Sequence, residues 1–399
     1  MSTRRTGIAG VRCALPCAVV CLGILLPGAV HAERIWAELE RPFEFERVRE
    51  PFGLVEVRGW AGTGIRGAHD VVIVIDRTAS TFAPSGVDLD GDGLIGKTVK
   101  VPTRYGQWIS RVTDPDDSIA RAQMIAARRL IERLNPESTR MGLVTFGRTE
   151  RVKARLGSSR EELLAVLDHL PKRPERGGTY FYGALIASIK VFELGQPSEN
   201  GARHRSIIFL SDGRPNEPPP PSFAAKAAVR ASQHAAKANI RIYAFALGTE
   251  VAANPDVFLE MTRANGGELL IVENPGEIVE YVPHMSLSRL EKVEIENIST
   301  GRTARAVRLF PDGTFDGFAP LTPGENLLRV TIYGEAGTRS LERTVFFERT
   351  ARDSAKGRRR LELLLEQLKI RTLETQLAEQ ARQKRERIRK RQLTIEVER

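Results

Sequence analysis

Cysteine is nearly missing from this chain of 399 residues. Cys13, Cys17 and Cys21 are its three thiols, and all fall within the first 32 residues. Without that segment there is no disulfide, no thiolate-bound zinc and no cysteine nucleophile. Beyond residue 32 no stretch offers the ~20 consecutive apolar residues that a membrane helix needs. A G-x-S-x-G elbow and a P-loop are absent. The remaining histidines, His69, His169, His204, His234 and His284, are scattered. They share no metal-ligand spacing and read as ordinary surface or core residues. With no catalytic set, the chain does not read as an enzyme. Its stability has to come from packed cores, with help from bound ions.

What is present begins with an export signal. Arg4, Arg5 and Arg12 form a charged head, Ala14 to Val30 is apolar, and Val30-His31-Ala32 offers a small-residue cleavage site before Glu33. Residues 1–32 are therefore expected to be a signal peptide, placing the protein in the periplasm, the cell envelope or the medium. The alternative is an uncleaved inner-membrane anchor. Charge follows the same segmentation. The formal net charge is +10, yet residues 351–399 alone hold 15 Lys/Arg against 8 Asp/Glu. With the signal set aside, the body is neutral and the basic character belongs to the tail.

From Asp70 to about Tyr281, strand and helix signals alternate. Val71 to Ile75 is a short apolar run suited to a strand buried on both faces, and Gly142–Phe146, Ser206–Leu210, Ile240–Leu247 and Glu268–Val272 follow it. Helical periodicity appears over Ser118–Leu134, Ser159–Leu170, Tyr180–Phe192, Ser222–Ala238 and Pro255–Arg263. The expected fold class is α/β, a doubly wound, mostly parallel sheet. Residues 286–348 change to short strands broken by Pro311-Asp312-Gly313 and Pro323-Gly324, the pattern of a small all-β sandwich. Residues 351–399 predict a charged C-terminal helix. Leu363, Ile370 and Leu377 recur every seventh position with Leu373 between them, about two heptads of coiled-coil seam.

Three motifs carry chemistry. Asp76-Arg77-Thr78-Ala79-Ser80 directly follows the Val71–Ile75 strand, Gly177-Gly178-Thr179 precedes a helix, and Ser211-Asp212-Gly213 follows the Ser206–Leu210 strand. In a doubly wound sheet all three belong at the carboxyl edge of the strands, where ligands bind. Asp76, Thr78, Ser80, Thr179 and Asp212 then offer two carboxylates and three hydroxyls. Hard oxygen donors suit Mg²⁺, Ca²⁺ or Mn²⁺, not zinc or copper. In this order and context they resemble the metal-ion-dependent adhesion site of von Willebrand factor type A domains, over roughly residues 68–285. That family has serine where Thr78 stands, and threonine keeps the hydroxyl. The resemblance implies that Thr78, Ser80 and Thr179 contact a divalent cation, Mg²⁺ first, and that Asp76 and Asp212 act directly or through water. It further implies a binding module for a protein or glycan that brings an acidic group to the ion.

Residues 81–113 make an unusually long connection. Within it Asp88, Asp90 and Asp92 stand at positions one, three and five of an EF-hand-type calcium loop, with Gly93 at six and Leu94 supplying a carbonyl. Val99 occupies position twelve where a glutamate is needed, and Asp114 or Asp116 is the expected substitute for a second, calcium site.

Asp312-Gly313-Thr314-Phe315 and Pro320 to Asn326 resemble bacterial immunoglobulin-like repeats that lack their first strand here. Pro51 to Gly59 looks like the missing strand. The expected organisation is therefore a sandwich of residues 36–66 plus 286–350, a type A domain at 68–285 inserted into it, and a basic helical tail at 351–399; the alternative is that the segment ahead of the type A domain is an independent N-terminal lead-in. The rival function is structural: a basic run, Arg382–Arg391, holding the chain to an anionic envelope surface. Export makes nucleic acid a poor partner, and the oligomeric state stays open, with a coiled-coil dimer through the tail as one form.

Overall fold

A computed structural model describes residues 34–64, 68–102, 108–175, 177–195, 203–350 and 355–397. The signal segment, residues 1–32, lies outside the described residues. Among those described, no helix is long and apolar enough to cross a membrane.

The centre is a six-stranded sheet ordered Glu268–Val272, Ile240–Leu247, Arg203–Ser211, Ala68–Asp76, Thr139–Phe146 and Glu150–Ala154. All neighbours run parallel except the last pair. Its inner strands carry continuous apolar runs because both faces are covered. Val71, Ile73 and Ile75 pack on one side with Ala122, Ala126 and Leu130 of the Ile119–Arg133 helix. Val72 and Val74 pack on the other with Phe181 and Leu185 of the Phe181–Glu193 helix and Ala228 and Ala231 of the Pro221–Lys237 helix. This is the α/β class expected, and the apolar runs locate its central strands to within a few residues. The edge strand Glu150–Ala154 escapes sequence reading because it is charged and mostly exposed. So does the hairpin of Thr98–Pro102 and Trp108–Val112, which stands within the long 81–113 connection.

Two further sheets flank one another. One is ordered Ile35–Arg41, Leu54–Thr63, Thr314–Pro320, Arg305–Leu309. The other is ordered Arg302–Thr303, Leu290–Asn297, Gly324–Gly334, Gly337–Arg349, Glu46–Glu50. A single core joins them, with Val57, Phe315 and Ala319 of the first and Val293, Ile295, Val330 and Phe347 of the second. Leu54–Thr63 lies between an N-terminal strand and Thr314–Pro320, so residues from both sides of the α/β domain build one sheet. Sequence reading finds one strand ahead of that domain where there are three; Glu46–Glu50 buries only Val48, too little to leave an alternating signature.

The tail is a helix, Ala355–Val397. It is docked by charge more than by apolar contact: Glu374 to Arg308 at 2.6 Å, Arg371 to Glu56 at 2.9 Å, Lys384 to Glu280 at 2.8 Å. Leu363, Ile370, Leu373 and Leu377 stay exposed on it.

Asp312 clamps the sandwich to the α/β domain. Its carboxylate accepts from the amide of Asn135 at 3.1 Å and the hydroxyl of Ser138 at 2.8 Å. Close by, at the amino ends of the central strands, Asp70 is fully buried and accepts from Arg140 at 2.8 and 2.9 Å and from Arg203 at 2.6 Å. Burial alone would raise its pKa, but the two guanidiniums outweigh it and hold the carboxyl below the ordinary range. Asp70→Asn leaves two arginines uncompensated and is expected to cost about 3–5 kcal/mol in urea denaturation. Because the folded pKa is depressed, the contribution of Asp70 is present above the ordinary carboxylate value and disappears as pH falls below it.

The parallel register sets His69 against His204, with ring centroids 5.4 Å apart, so two histidines that look scattered in sequence are neighbours. Burial first, and then the charge of His204, push His69 down to about 4, with Asp312 opposing and Arg203 adding to the fall. The unfolded chain takes up this proton below about 6.5 and the folded chain only near 4, so stability falls as pH drops through that window. Denaturant titrations between those limits should show wild type losing stability relative to His69→Gln. Parallel pH profiles for the two proteins would refute the assignment.

Candidate functional site

Asp76 is the last residue of its strand and Ser211 the last of the adjacent one, so the two loops leave the sheet side by side. The next sheet strand after Asp76, Thr139–Phe146, lies on its other side. A crevice therefore opens at this reversal of strand order, where doubly wound sheets bind ligands.

Hydrogen bonds gather the side chains. Asp76, fully buried, accepts from the amide of Thr78 at 2.8 Å through Oδ1 and from the Ser211 hydroxyl through Oδ2. Thr78 Oγ1 lies 3.0 Å from Ser80 Oγ, and the Ser80 hydroxyl donates to Asp212 Oδ1 at 2.9 Å. Thr179 comes from a separate loop. Its amide donates to Asn216 Oδ1 at 2.7 Å, and a methyl group placed on Gly213 would sit 3.4 Å from its hydroxyl oxygen. The five predicted residues thus stand at one edge, four of them in an unbroken chain of contacts. The glycines ahead of Thr179 are there for space: a Cβ on Gly178 would fall 2.2 Å from Asn216 Oδ1, and Gly177 has φ +111°.

The electrostatics are those of a site short of positive charge. Burial raises the pKa of Asp76, against hydrogen bonds from Ser211 and Thr78. Burial also raises that of Asp212, and the charge of Asp76 raises it further. Among the described residues neither carboxylate has an ion-pair partner. Arg77 is buried beside them, but its guanidinium donates to the backbone carbonyls of Pro171 and Arg173 and stacks over Phe82. Two carboxylates and three hydroxyls with no cation of their own fit a hard divalent ion. Sequence reading misses three supports. Ser211 orients Asp76, Asn216 holds Thr179, and Gln123 accepts from the amide of Asp76 at 3.1 Å. Ser211 and Asn216 lie in or beside a motif; Gln123 sits inside a helix and leaves no sequence signal.

In the long connection, carboxylate oxygens of Asp88, Asp90 and Asp117 lie within 4.8 Å of one another, as do those of Asp90, Asp92 and Asp114. Of the two residues expected at position twelve, Asp114 belongs to the second of these groups. Asp116 instead faces Lys172 at 3.4 Å. Asp117, not foreseen, is fully buried and accepts from the amides of Leu89 at 2.6 Å and Gly96 at 3.1 Å. Leu94 is exposed, and its amide donates to Asp92 at 2.7 Å.

Comparison with known proteins gives one family match: the von Willebrand factor type A domain, over residues 121–277. The match does not reach the sandwich, so the likeness to immunoglobulin-like repeats gains no support from it. No curated protein matches. Among solved structures, a conserved hypothetical protein BatB from Bacteroides thetaiotaomicron is 17% identical with a TM-score of 0.36, covering 52% of this chain and 91% of that one. The vWF domain of the type V pili tip protein Mfa5 from Porphyromonas gingivalis is 14% identical with a TM-score of 0.35, covering 55% and 94%. Proximal thread matrix protein 1 of the mussel byssus, with zinc in its MIDAS motif, is 15% identical with a TM-score of 0.35, covering 54% and 44%. These similarities are too low to add to the family match.

Replacing Asp117 by alanine strands two amides and is expected to cost about 2 kcal/mol. Limited proteolysis should then cut the 85–118 connection first, with the sheet intact by circular dichroism.

Proposed function

We propose, from the von Willebrand factor type A domain that this chain carries, that it is an exported binding module working through a divalent cation. Asp76, Thr78, Ser80, Thr179 and Asp212 would hold the ion, Mg²⁺ first and Mn²⁺ or Ca²⁺ as alternatives. The ion would supply a positive charge at the carboxyl edge of the sheet, and an acidic group from a protein or glycan partner would complete its coordination. The observation that carries this reading is the pair of buried carboxylates, Asp76 and Asp212, gathered with three hydroxyls at one crevice and, among the described residues, without an ion-pair partner. The chain's own groups fix the donors: Ser211 and the Thr78 amide aim Asp76, and Asn216 anchors the Thr179 loop. Among the described residues no nucleophile and base pair accompanies them, and the proposed role is binding. Export rests on the reading of residues 1–32, and the envelope or the medium is the proposed location.

The carboxylates of Asp88, Asp90, Asp92, Asp114 and Asp117 support a second proposal, a calcium ion that fixes the long connection beside the first site. Calcium should protect residues 81–113 from protease, and equal cutting in calcium and in chelator would end the idea. The rival reading, a tail holding the envelope through its basic run, draws less support. Arg382, Lys384 and Arg385 are engaged within the chain by Glu379, Glu280 and the His284 carbonyl.

Calorimetry tests the principal reading. Wild type should take up Mg²⁺ or Mn²⁺, and Asp76→Ala and Asp212→Asn should each weaken uptake at least tenfold, about 1.4 kcal/mol. Asp212→Asn should also melt higher than wild type in chelator, because it removes the repulsion with Asp76. Capture of partners from envelope extracts should be abolished by chelator. Unaltered uptake in both variants would refute the site, and capture indifferent to chelator would refute the role.

A further inference from the structure

The loop that carries Asp212 runs on into an uncharged segment, Pro218-Pro219-Pro220-Pro221-Ser222-Phe223-Ala224, in a chain of which 28% is charged. Hydrogen bonds hold the start of this segment against the oxygen donors. The amides of Asn216 and Glu217 donate to the Thr179 carbonyl at 3.1 and 3.3 Å. A Cβ on Gly178 would fall 2.6 Å from Glu217 Cγ, and Pro218 is the next residue. The far end stays at the same edge. The Pro221–Lys237 helix follows the Arg203–Ser211 strand, so it begins where that strand ends. From Glu217 to Phe223 the chain spans at most roughly 20 Å, within reach of one short peptide seated at the crevice.

The fold itself does not require this ledge. Pro221 opens its helix, a position that suits proline, and that accounts for one proline of four. Pro219, Pro220 and Pro221 are exposed. Phe223 is 52% exposed and stands off the stripe of Ala224, Ala228, Ala231 and Ala235 that the helix buries. Charges stand around the ledge but not on it. Glu217 faces Arg148 at 3.8 Å, Arg214 donates to the Glu250 carbonyl at 3.3 Å, and Lys226 is exposed a turn beyond Phe223.

This border selects a partner. Exposed Glu250 bears on Asp212 and would repel an incoming acid, whereas the ledge would not. A sugar laid on the ledge would find few hydrogen-bonding groups. Four consecutive prolines have no N–H to donate, and the Pro220 carbonyl already accepts from the amides of Phe223 and Ala224. An aliphatic or aromatic side chain gives up no hydrogen bonds there and covers exposed apolar surface.

We infer that the partner is a protein, not a glycan, and that a large apolar side chain next to its acidic residue packs on Pro219, Pro220, Pro221 and Phe223. This inference rests on the cation reading above and names the chemistry of what that site takes.

A phage-displayed library of random peptides, selected on the full-length chain in Mg²⁺ and released by chelator, tests it. Wild type should enrich peptides with Leu, Ile, Phe or Trp beside Asp or Glu about tenfold over the unselected library. Phe223→Ser should return acidic peptides without that apolar preference, and Phe223→Leu should keep it. Leu194→Ser should behave as wild type, since Leu194 is 86% exposed but ends the Phe181–Glu193 helix, away from the crevice. Calorimetric Mg²⁺ uptake equal in all four proteins would show fold and ion site intact. Acidic peptides with no apolar preference, or a preference that survives Phe223→Ser, would overturn the inference and leave the cation site standing. Glucuronate displacing the selected peptides better than acetate does would assign the ledge to a sugar and overturn it too. A wild type that takes up no Mg²⁺ would overturn both readings.

Discussion

Two carboxylates confined at the end of a parallel sheet, with no ion-pair partner among the described residues, set the terms for the rest of this molecule. Each is drawn out of water by its own strand or loop, and each raises the other's cost of ionisation. Asp76 cannot move away, because its strand lies in the middle of the sheet and is buried on both faces. The hydroxyls of Thr78, Ser80 and Ser211 spread the charge but cannot neutralise it. The fold thus keeps an unfavourable arrangement in place, and the packing of the two core layers supplies the stability that this requires.

How much of this is legible in the sequence depends on how local the signal is. The central strands declare themselves because burial on both faces demands unbroken apolar runs such as Val71 to Ile75. The five oxygen donors declare themselves because each sits immediately beside a strand or helix signal. What escapes reading is non-local. Asn216 meets Thr179 across 37 positions and Gln123 meets Asp76 across 47, and nothing near either residue announces the partner. The His69 and His204 contact depends on the register of two parallel strands, which sequence periodicity does not encode. Asp117 and Asp116 cannot be told apart by composition, because neighbouring positions in a short turn point in different directions.

The three compartments of the chain are held by different forces. The sheet and the sandwich each have an apolar core. The tail helix relies on arginine and glutamate pairs that are partly exposed, and such pairs contribute little individually and weaken with salt. The tail is therefore the element whose attachment depends most on solution conditions, while the α/β domain and the sandwich share the buried Asp312 clamp.

That clamp stands at the amino ends of the strands, and the oxygen donors stand at the carboxyl ends, separated by roughly 25 Å of strand. The chain also enters and leaves the α/β domain at neighbouring points, for the Thr63 hydroxyl donates to the Ser288 carbonyl at 3.2 Å. A load applied at the oxygen-bearing pole would therefore reach the sandwich through two strands of covalent chain at once, instead of through a single hinge. The domain is mounted like a key held by its bow, with the five gathered side chains at the end farthest from the hand that turns it.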